Sequence, residues 1–451
     1  MKQFFCSRWR SVRLASLFHE NTVKNEDFLL SNALQFRYGS IVQKKKFDLT
    51  SDLIETYKKY TLIQPGDIMI NGLNLNYDFI TQRVALVPST GIITSAYICL
   101  RPRNSVNYRF YTYYLKALDA LKVFNGLGTG IRLTLSYDSI KNMVLPLPPR
   151  EEQDQIVRYL DWQVSKINRL IAAKRKEIAL LKEQKQRKIT EVVVHGLKPN
   201  VPHKDTGIAW IGSIPAHWHC VALKRCATVK SGITLGKQYP VGTNLVSVPY
   251  LRVANVQDGF VNIETVTNLN VTPEEAAQYR LPRGCVLMTE GGDRDKLGRG
   301  CVWNGEIENC IHQNHIFAVT VNDKLLLNKW LEYVSACDIG RVYFDVTAIK
   351  TTNLACTNAS KVMAFPIPLP PRDEQACIIN ELNRITSRFN DARESLEKQI
   401  EYLQELRILL ISDVVTGQID VRGIKVPDDE YINNEITEEE FEEESENNEE
   451  E

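Results

Sequence analysis

The chain has 451 residues, 43% hydrophobic and 9% aromatic, which is enough apolar content for sizeable cores. Its formal charge is zero, but residues 428–451 hold 14 Asp and Glu and no Lys or Arg. Residues 1–427 therefore carry 55 basic against 41 acidic side chains, a balance suited to a polyanionic partner. Ten scattered cysteines without a C-x-x-C pair argue against a zinc site or disulfide framework and for a reducing cytoplasm. No apolar run approaches the ~18 residues that span a membrane.

In chain order, Trp9-x-x-Val12-x-Leu14 predicts a first strand. This accounts for the basic, acid-free first 19 residues better than a targeting peptide does. Lys44, Lys45 and Lys46 are candidate phosphate contacts. In Gln64-Pro-Gly-Asp-Ile-Met69 a turn glycine feeds a short apolar strand. Residues 71–83, rich in Asn, Gln and Arg, offer Asn74, Asn76, Tyr77, Gln82 and Arg83 as candidate DNA contacts. β-rich runs at 84–87 and 92–100 and a helical patch at 109–121 complete an α+β domain over 1–145.

Leu145-Pro-Leu-Pro-Pro-Arg-Glu-Glu-Gln153 then opens a long helix within 146–196. Prolines precede it, Glu151 and Glu152 suit its positive end, and Gly196 stops it. Leu160, Val164, Ile167, Ile171, Ile178 and Leu181 form a heptad stripe interrupted by Lys174. Residues 197–212, rich in Pro and Gly, read as a linker. A second domain over 213–367 repeats the first in outline: Trp218-x-x-Val221-x-Leu223 mirrors the first motif, and Leu281-Pro-Arg-Gly-Cys-Val-Leu287 mirrors the turn. The run 310–319 takes the place of 92–100, and a second helical patch lies at 325–337.

Within that domain, Thr289-Glu-Gly-Gly-Asp-Arg-Asp-Lys-Leu-Gly-Arg-Gly300 concentrates charge in a glycine-rich loop. Gly291, Gly292, Asp293, Arg294, Lys296 and Arg299 are candidates for base and phosphate contact. Gln313, Asn314 and His315 are polar residues in an otherwise apolar strand, either base readers or satisfied core groups. Ile367-Pro-Leu-Pro-Pro-Arg-Asp-Glu-Gln375, offset by 222 from its first copy, opens the second long helix within 368–417. Its stripe is Leu382, Ile385, Phe389, Ala392, Leu396, Leu403, Leu406 and Leu410, and Gly417 stops it. The remainder, 418–451, is expected to be disordered because its acidic end cannot bury enough apolar area.

Each helix would run about 40 residues, or ~60 Å, and neither can bury its stripe alone. The economical arrangement pairs them antiparallel as a spacer between two globular parts; two separate homodimeric coiled coils are the alternative. The fold class is thus α+β: two α/β domains separated by two long antiparallel helices, with a pseudo-two-fold repeat. The frame is repeated and the loops are not, which suits one scaffold presenting two recognition surfaces.

Motifs for chemistry are missing. Gly126-Leu-Gly-Thr-Gly130 lacks the lysine of a phosphate-binding loop, and no G-x-G-x-x-G occurs in a βαβ context. His312 and His315, three apart on a strand-like run, point to opposite faces and do not suit a shared metal. The charged 289–300 loop also admits a nuclease reading with carboxylate-bound Mg2+, although its charges crowd into one turn.

The duplicated Pro-Leu-Pro-Pro-Arg motif, the run Ile208-Ala-Trp-Ile-Gly-Ser-Ile-Pro-Ala-His-Trp218 and the strand Tyr250-Leu-Arg-Val-Ala-Asn-Val256 resemble the specificity subunit of type I restriction-modification systems. The resemblance extends to about Gly423; the first domain lacks the Gly-x-Ile-Pro introduction, and the acidic tail is not a family hallmark. It implies two target-recognition domains, each reading one half of a bipartite double-stranded DNA site, and adds Arg252 and Asn255 to the DNA-binding candidates. It also implies helices that dock two methyltransferase subunits, through Arg150, Glu152, Gln153, Arg372, Glu374 and Gln375, and an assembly that recruits restriction (translocase) subunits in the cytoplasm. The chain itself would be non-catalytic and bind no cofactor, with S-adenosylmethionine, ATP and Mg2+ on its partners. Two alternatives stand beside this: a DNA-binding scaffold without sequence preference, and a specificity subunit of a related system with fused methyltransferase and nuclease.

Overall fold

Both Pro-Pro-Arg motifs start a helix at the arginine: Arg150–His195 and Arg372–Val415, of 46 and 44 residues. These belong to a computed structural model that describes residues 6–37, 39–45, 48–76, 82–103, 106–130, 133–292, 297–298, 300–350 and 355–427. The acidic segment 428–451 lies outside the described residues. At each start the motif glutamine is buried and donates back to a proline carbonyl, Gln153 Nε2 to Pro148 O at 2.8 Å and Gln375 Nε2 to Pro370 O at 2.9 Å. Each helix ends on a glycine with positive φ, 71° at Gly196 and 75° at Gly417. A Cβ at Gly196 would sit 3.0 Å from the Trp218 ring, and one at Gly417 would sit 2.8 Å from the Trp9 ring. Both glycines are therefore required twice, for backbone conformation and for tryptophan packing.

The chain divides into two units, one from Met1–Lys176 and Leu396–Glu451, the other from Glu177–Ser395. In the first, an antiparallel sheet has the order Phe18–Glu20, Ile98–Pro102, Ile68–Ile70, Val84–Leu86. A separate ribbon pairs Arg10–Arg13 with Val144–Leu147. Helix Tyr108–Ala120 buries Phe110, Tyr111, Tyr114, Leu115 and Leu118 against this framework. It is tied to the ribbon by Tyr111 Oη to Pro146 O (2.8 Å) and to the first long helix by Tyr113 Oη to Asp161 Oδ1 (2.9 Å). Buried Asp67 receives Arg101 through two hydrogen bonds of 2.8 and 2.6 Å.

The second unit repeats this plan. Its sheet order is Ala227–Ser231, Ile316–Val321, Val286–Thr289, Gly300–Val302, again antiparallel, and its ribbon pairs His219–Ala222 with Pro366–Leu369. Trp330 Nε1 donates to Pro368 O (2.9 Å) and Tyr333 Oη to Asn383 Oδ1 (2.7 Å). Pro368 and Asn383 stand 222 positions after Pro146 and Asp161, so both bonds recur at the same acceptor positions, one donated by a tryptophan in place of a tyrosine.

The long helices run antiparallel within each unit. In the first, Asn168 Oδ1 accepts from Arg407 (2.8 Å), and Gln155 Nε2 reaches the carbonyls of Val421 (3.0 Å) and Ile424 (2.7 Å). In the second, Lys185 Nζ meets Asn390 Oδ1 at 3.0 Å, and a Cβ at Gly196 would lie 3.7 Å from Glu374 Oε1. Leu160, Val164, Ile167, Ile171, Leu382, Ile385 and Leu396 are buried as expected, whereas Ala392 and Leu406 are exposed. Beyond Leu396 the seam passes through Ile400, Leu403, Arg407 and Leu410, all partly buried, because the Arg407–Asn168 bond places a charged residue where a heptad stripe would hold an apolar one.

Two further expectations change. Residues 197–212 are not a plain linker: His203–Asp205 pairs with Ser213–Pro215, and Ile211 and Ile214 enter the core. The runs 92–100 and 310–319 are each two strands, Gly91–Ile93 with Ile98–Pro102 and Ile311–His312 with Ile316–Val321. In the second unit the interruption is the polar triplet Gln313, Asn314 and His315, whose turn breaks the strand.

Candidate nucleic-acid interface

The triplet sits where three segments of the second unit meet. Asn314 N donates to Ile233 O at 3.0 Å, placing the start of the loop after strand Ala227–Ser231 beside it. Glu290, just past strand Val286–Thr289, donates its N–H to His315 O (2.9 Å), and Thr357 N donates to Glu290 O (2.7 Å). On the side-chain level His315 Nδ1 lies 2.6 Å from Glu290 Oε2, with 53% and 26% of the two side chains exposed. Asn314 Nδ2 is 3.5 Å from His315 Nε2. Gln313 is directed inward, its Oε1 accepting from Val253 N at 3.3 Å.

Three residues away the environment reverses. His312 is buried, and that burial pushes its pKa down to about 4, so the ring is neutral at physiological pH. Thr234, Leu235, Lys237 and Gln238 are exposed on the neighbouring loop. Lys237 bonds to Glu275, which Tyr239 Oη also reaches at 2.7 Å.

Several expected contacts lie elsewhere. Asn255 is fully buried: its Oδ1 accepts from Arg252 N (2.8 Å) and its Nδ2 donates to Asn262 O (3.0 Å). Arg252 is half-buried, with Nη2 on Thr265 O at 2.9 Å. In the first unit Arg83 is 1% exposed and clamps residues 71–74 through Leu73 O (2.8 Å) and Asn71 O (3.2 Å). Arg83 and Asn255 are braces in the interior, not surface readers. Asn74, Gln82 and Lys45 are exposed; Asn76 and Lys44 are half-buried. Gly291 and Gly292 form a short strand against Ala355–Cys356. Lys46, Tyr77, Asp293, Arg294, Lys296 and Arg299 lie outside the described residues.

The motif residues assigned to partner docking are also engaged internally. Glu152, Gln153 and Gln375 are buried. Glu152 receives Arg8 (2.8 Å), Glu374 meets His217 (2.9 Å), and Arg372 Nε donates to Asp323 O (2.7 Å). Arg150 pairs with Asp154 at 3.0 Å. The duplication of this motif serves the helix start. Exposed apolar residues stand elsewhere on the second helix, at Tyr402, Leu406 and Leu409. Reading by residue type passed over Glu290 within the 289–300 loop and missed the 232–238 loop, because only the fold brings them to the triplet.

Residues 7–180 match the family model described as the type I restriction modification DNA specificity domain. The type I restriction enzyme MjaVIII specificity subunit of Methanocaldococcus jannaschii is 23% identical over 432 residues, covering 92% of this chain and 94% of that protein. This chain is similar to type I restriction-modification specificity subunits over nearly its whole length. The putative MjaX specificity subunit of the same organism is 25% identical over 199 residues, 44% of this chain and 45% of that one. Among solved structures, one described as the basis of complex assembly and conformational transition of the type I R-M system is 16% identical. It aligns with a TM-score of 0.62 over 92% of this chain and 99% of that one, and so shares that chain's fold. The family match lies in the first half, and the repeated sheet order and ribbon extend the same frame to the second.

Proposed function

We infer that this chain is the DNA-reading subunit of a type I restriction-modification complex, each unit recognising one half of a bipartite duplex site. The observation that carries this reading is the repeat itself. Two units share sheet order, ribbon and proline-carbonyl bonds, yet differ in the loops that cover them. A duplicated frame with unlike surfaces suits two different half-sites better than one site read twice. Catalysis and the binding of S-adenosylmethionine, ATP and Mg2+ fall to partner subunits in the cytoplasm. Tyr402, Leu406 and Leu409, at helical spacing, are the surface on which a methyltransferase subunit would gain most from covering apolar area.

The test is to map methylated adenines in cells that carry the cognate methyltransferase, with and without this chain. A bipartite motif methylated only when the chain is present is the expected result. Methylation independent of the chain, or DNA binding without sequence preference by the purified complex, would replace this reading with that of a scaffold. Replacing Arg294, Lys296 or Arg299 by Ala is expected to weaken one half-site only, because all three belong to the 289–300 loop of one domain's sequence.

A further inference from the structure

We propose that His315 is a hydrogen-bond acceptor for an exocyclic base amine, held in that role by Glu290 as its positioning residue. The inference rests on the DNA-reading function above and goes further, naming the chemistry that one position of one half-site must present.

The geometry fixes the ring's tautomer. A carboxylate only accepts, so the 2.6 Å contact from Glu290 Oε2 places the proton on His315 Nδ1. On the other edge the amide nitrogen of Asn314, a donor, faces Nε2 at 3.5 Å. The neutral form that satisfies both neighbours carries its lone pair on Nε2. The two side chains start from main chains held in register, because the backbones of Glu290 and His315 are joined at 2.9 Å and Thr357 N holds Glu290 O at 2.7 Å. A contact of 3.5 Å is long for a hydrogen bond, so an incoming donor can displace Asn314 from Nε2 at little cost. In the major groove the donors are adenine N6 and cytosine N4.

His315 is also set apart from its neighbours. Gln313 spends its side-chain oxygen on Val253 N, and His312 is buried. Among the three polar side chains at the turn, His315 is the exposed one, while Asn314 is half-buried beside it.

The experiment uses the complex of the full chain with its methyltransferase partner and a duplex carrying the mapped target. Each adenine or cytosine of the target is replaced in turn by an analogue lacking the exocyclic amine, and each purine by its 7-deaza form. Wild type is expected to lose roughly tenfold in affinity when one particular amine is removed from the second unit's half-site. His315→Ala and Glu290→Leu should be insensitive to that same deletion, while remaining sensitive to analogues in the other half-site, which confirms that they are folded. Glu290→Gln, which keeps an acceptor opposite Nδ1, should behave as wild type. Sensitivity that persists at every amine in His315→Ala overturns the proposal, as does dependence on N7 in place of the amine. If Glu290→Gln is as insensitive as Glu290→Leu, the carboxylate acts through charge and the tautomer assignment fails. Absence of any sequence preference in wild type would instead defeat the DNA-reading function on which the proposal rests.

Discussion

His312 and His315 show how little residue type decides on its own. They are three positions apart, yet one is buried with its pKa lowered to about 4 and the other is half in solvent. Because the folded-state pKa of His312 lies below the unfolded value near 6.5, protonation favours the unfolded chain. Its contribution is present in full above pH 6.5 and is lost as pH falls toward 4, a change on the order of 3 kcal/mol. The urea midpoint of the second unit should fall across that window, and His312→Leu should flatten the profile; a parallel profile in the variant would assign the acid sensitivity elsewhere. Asp67 offers a second case. Removing its carboxylate leaves Arg101 and the Gln64 N–H without their acceptor, so Asp67→Ala should destabilise the first unit by about 3 kcal/mol in denaturant titration. In the sequence Arg83 was legible only as a polar residue of the 71–83 loop, and Asn255 only as a polar residue of an expected strand over 250–256. Their partners are mostly backbone carbonyls and amides brought close by the fold, and a linear pattern contains no term for that.

Among the elements, the helix ends were the most legible part of the chain, because prolines, acids and glycines act through local backbone chemistry. The seam of the second helix was legible at most of its positions, Leu403 and Leu410 included, but not at Ala392 or between Leu403 and Leu410. In that last interval, position 407 is an arginine that reaches Asn168, and an apolar pattern steps instead onto Leu406, which is exposed. Equivalent braces were also hidden: Tyr111 and Trp330 reach the same repeated proline carbonyl, but no alignment of types pairs a tyrosine with a tryptophan. The terminal glycines give a graded test. Alanine at Gly417 would meet Cys6 Sγ at 2.7 Å and Trp9 at 2.8 Å in addition to its left-handed strain, whereas alanine at Gly196 meets Trp218 at 3.0 Å. Losses of roughly 2–4 kcal/mol for Gly417→Ala and a smaller one for Gly196→Ala are expected from thermal unfolding. Equal losses would show that φ alone matters.

For the molecule as a whole, the proposed bipartite reading makes helix length a quantity that DNA can report. About seven residues inserted at matched points of both helices add roughly 10 Å, close to three base pairs of duplex. Methylation mapping should then find the same two half-sites with a longer unread gap; an unchanged gap removes the helices from the role of spacer. The pairing of distant segments has another consequence, in the order of synthesis. Glu177–Ser395 is one continuous stretch and can finish folding as soon as it has left the ribosome. The first unit, though begun earlier, must wait for residues beyond Leu396, since Thr416 O receives Cys6 N at 2.8 Å and Val421 O receives Gln155 at 3.0 Å. The half made first is completed second, and until then its apolar helix face stays open to chaperones, to proteases and to the partner it is meant to meet.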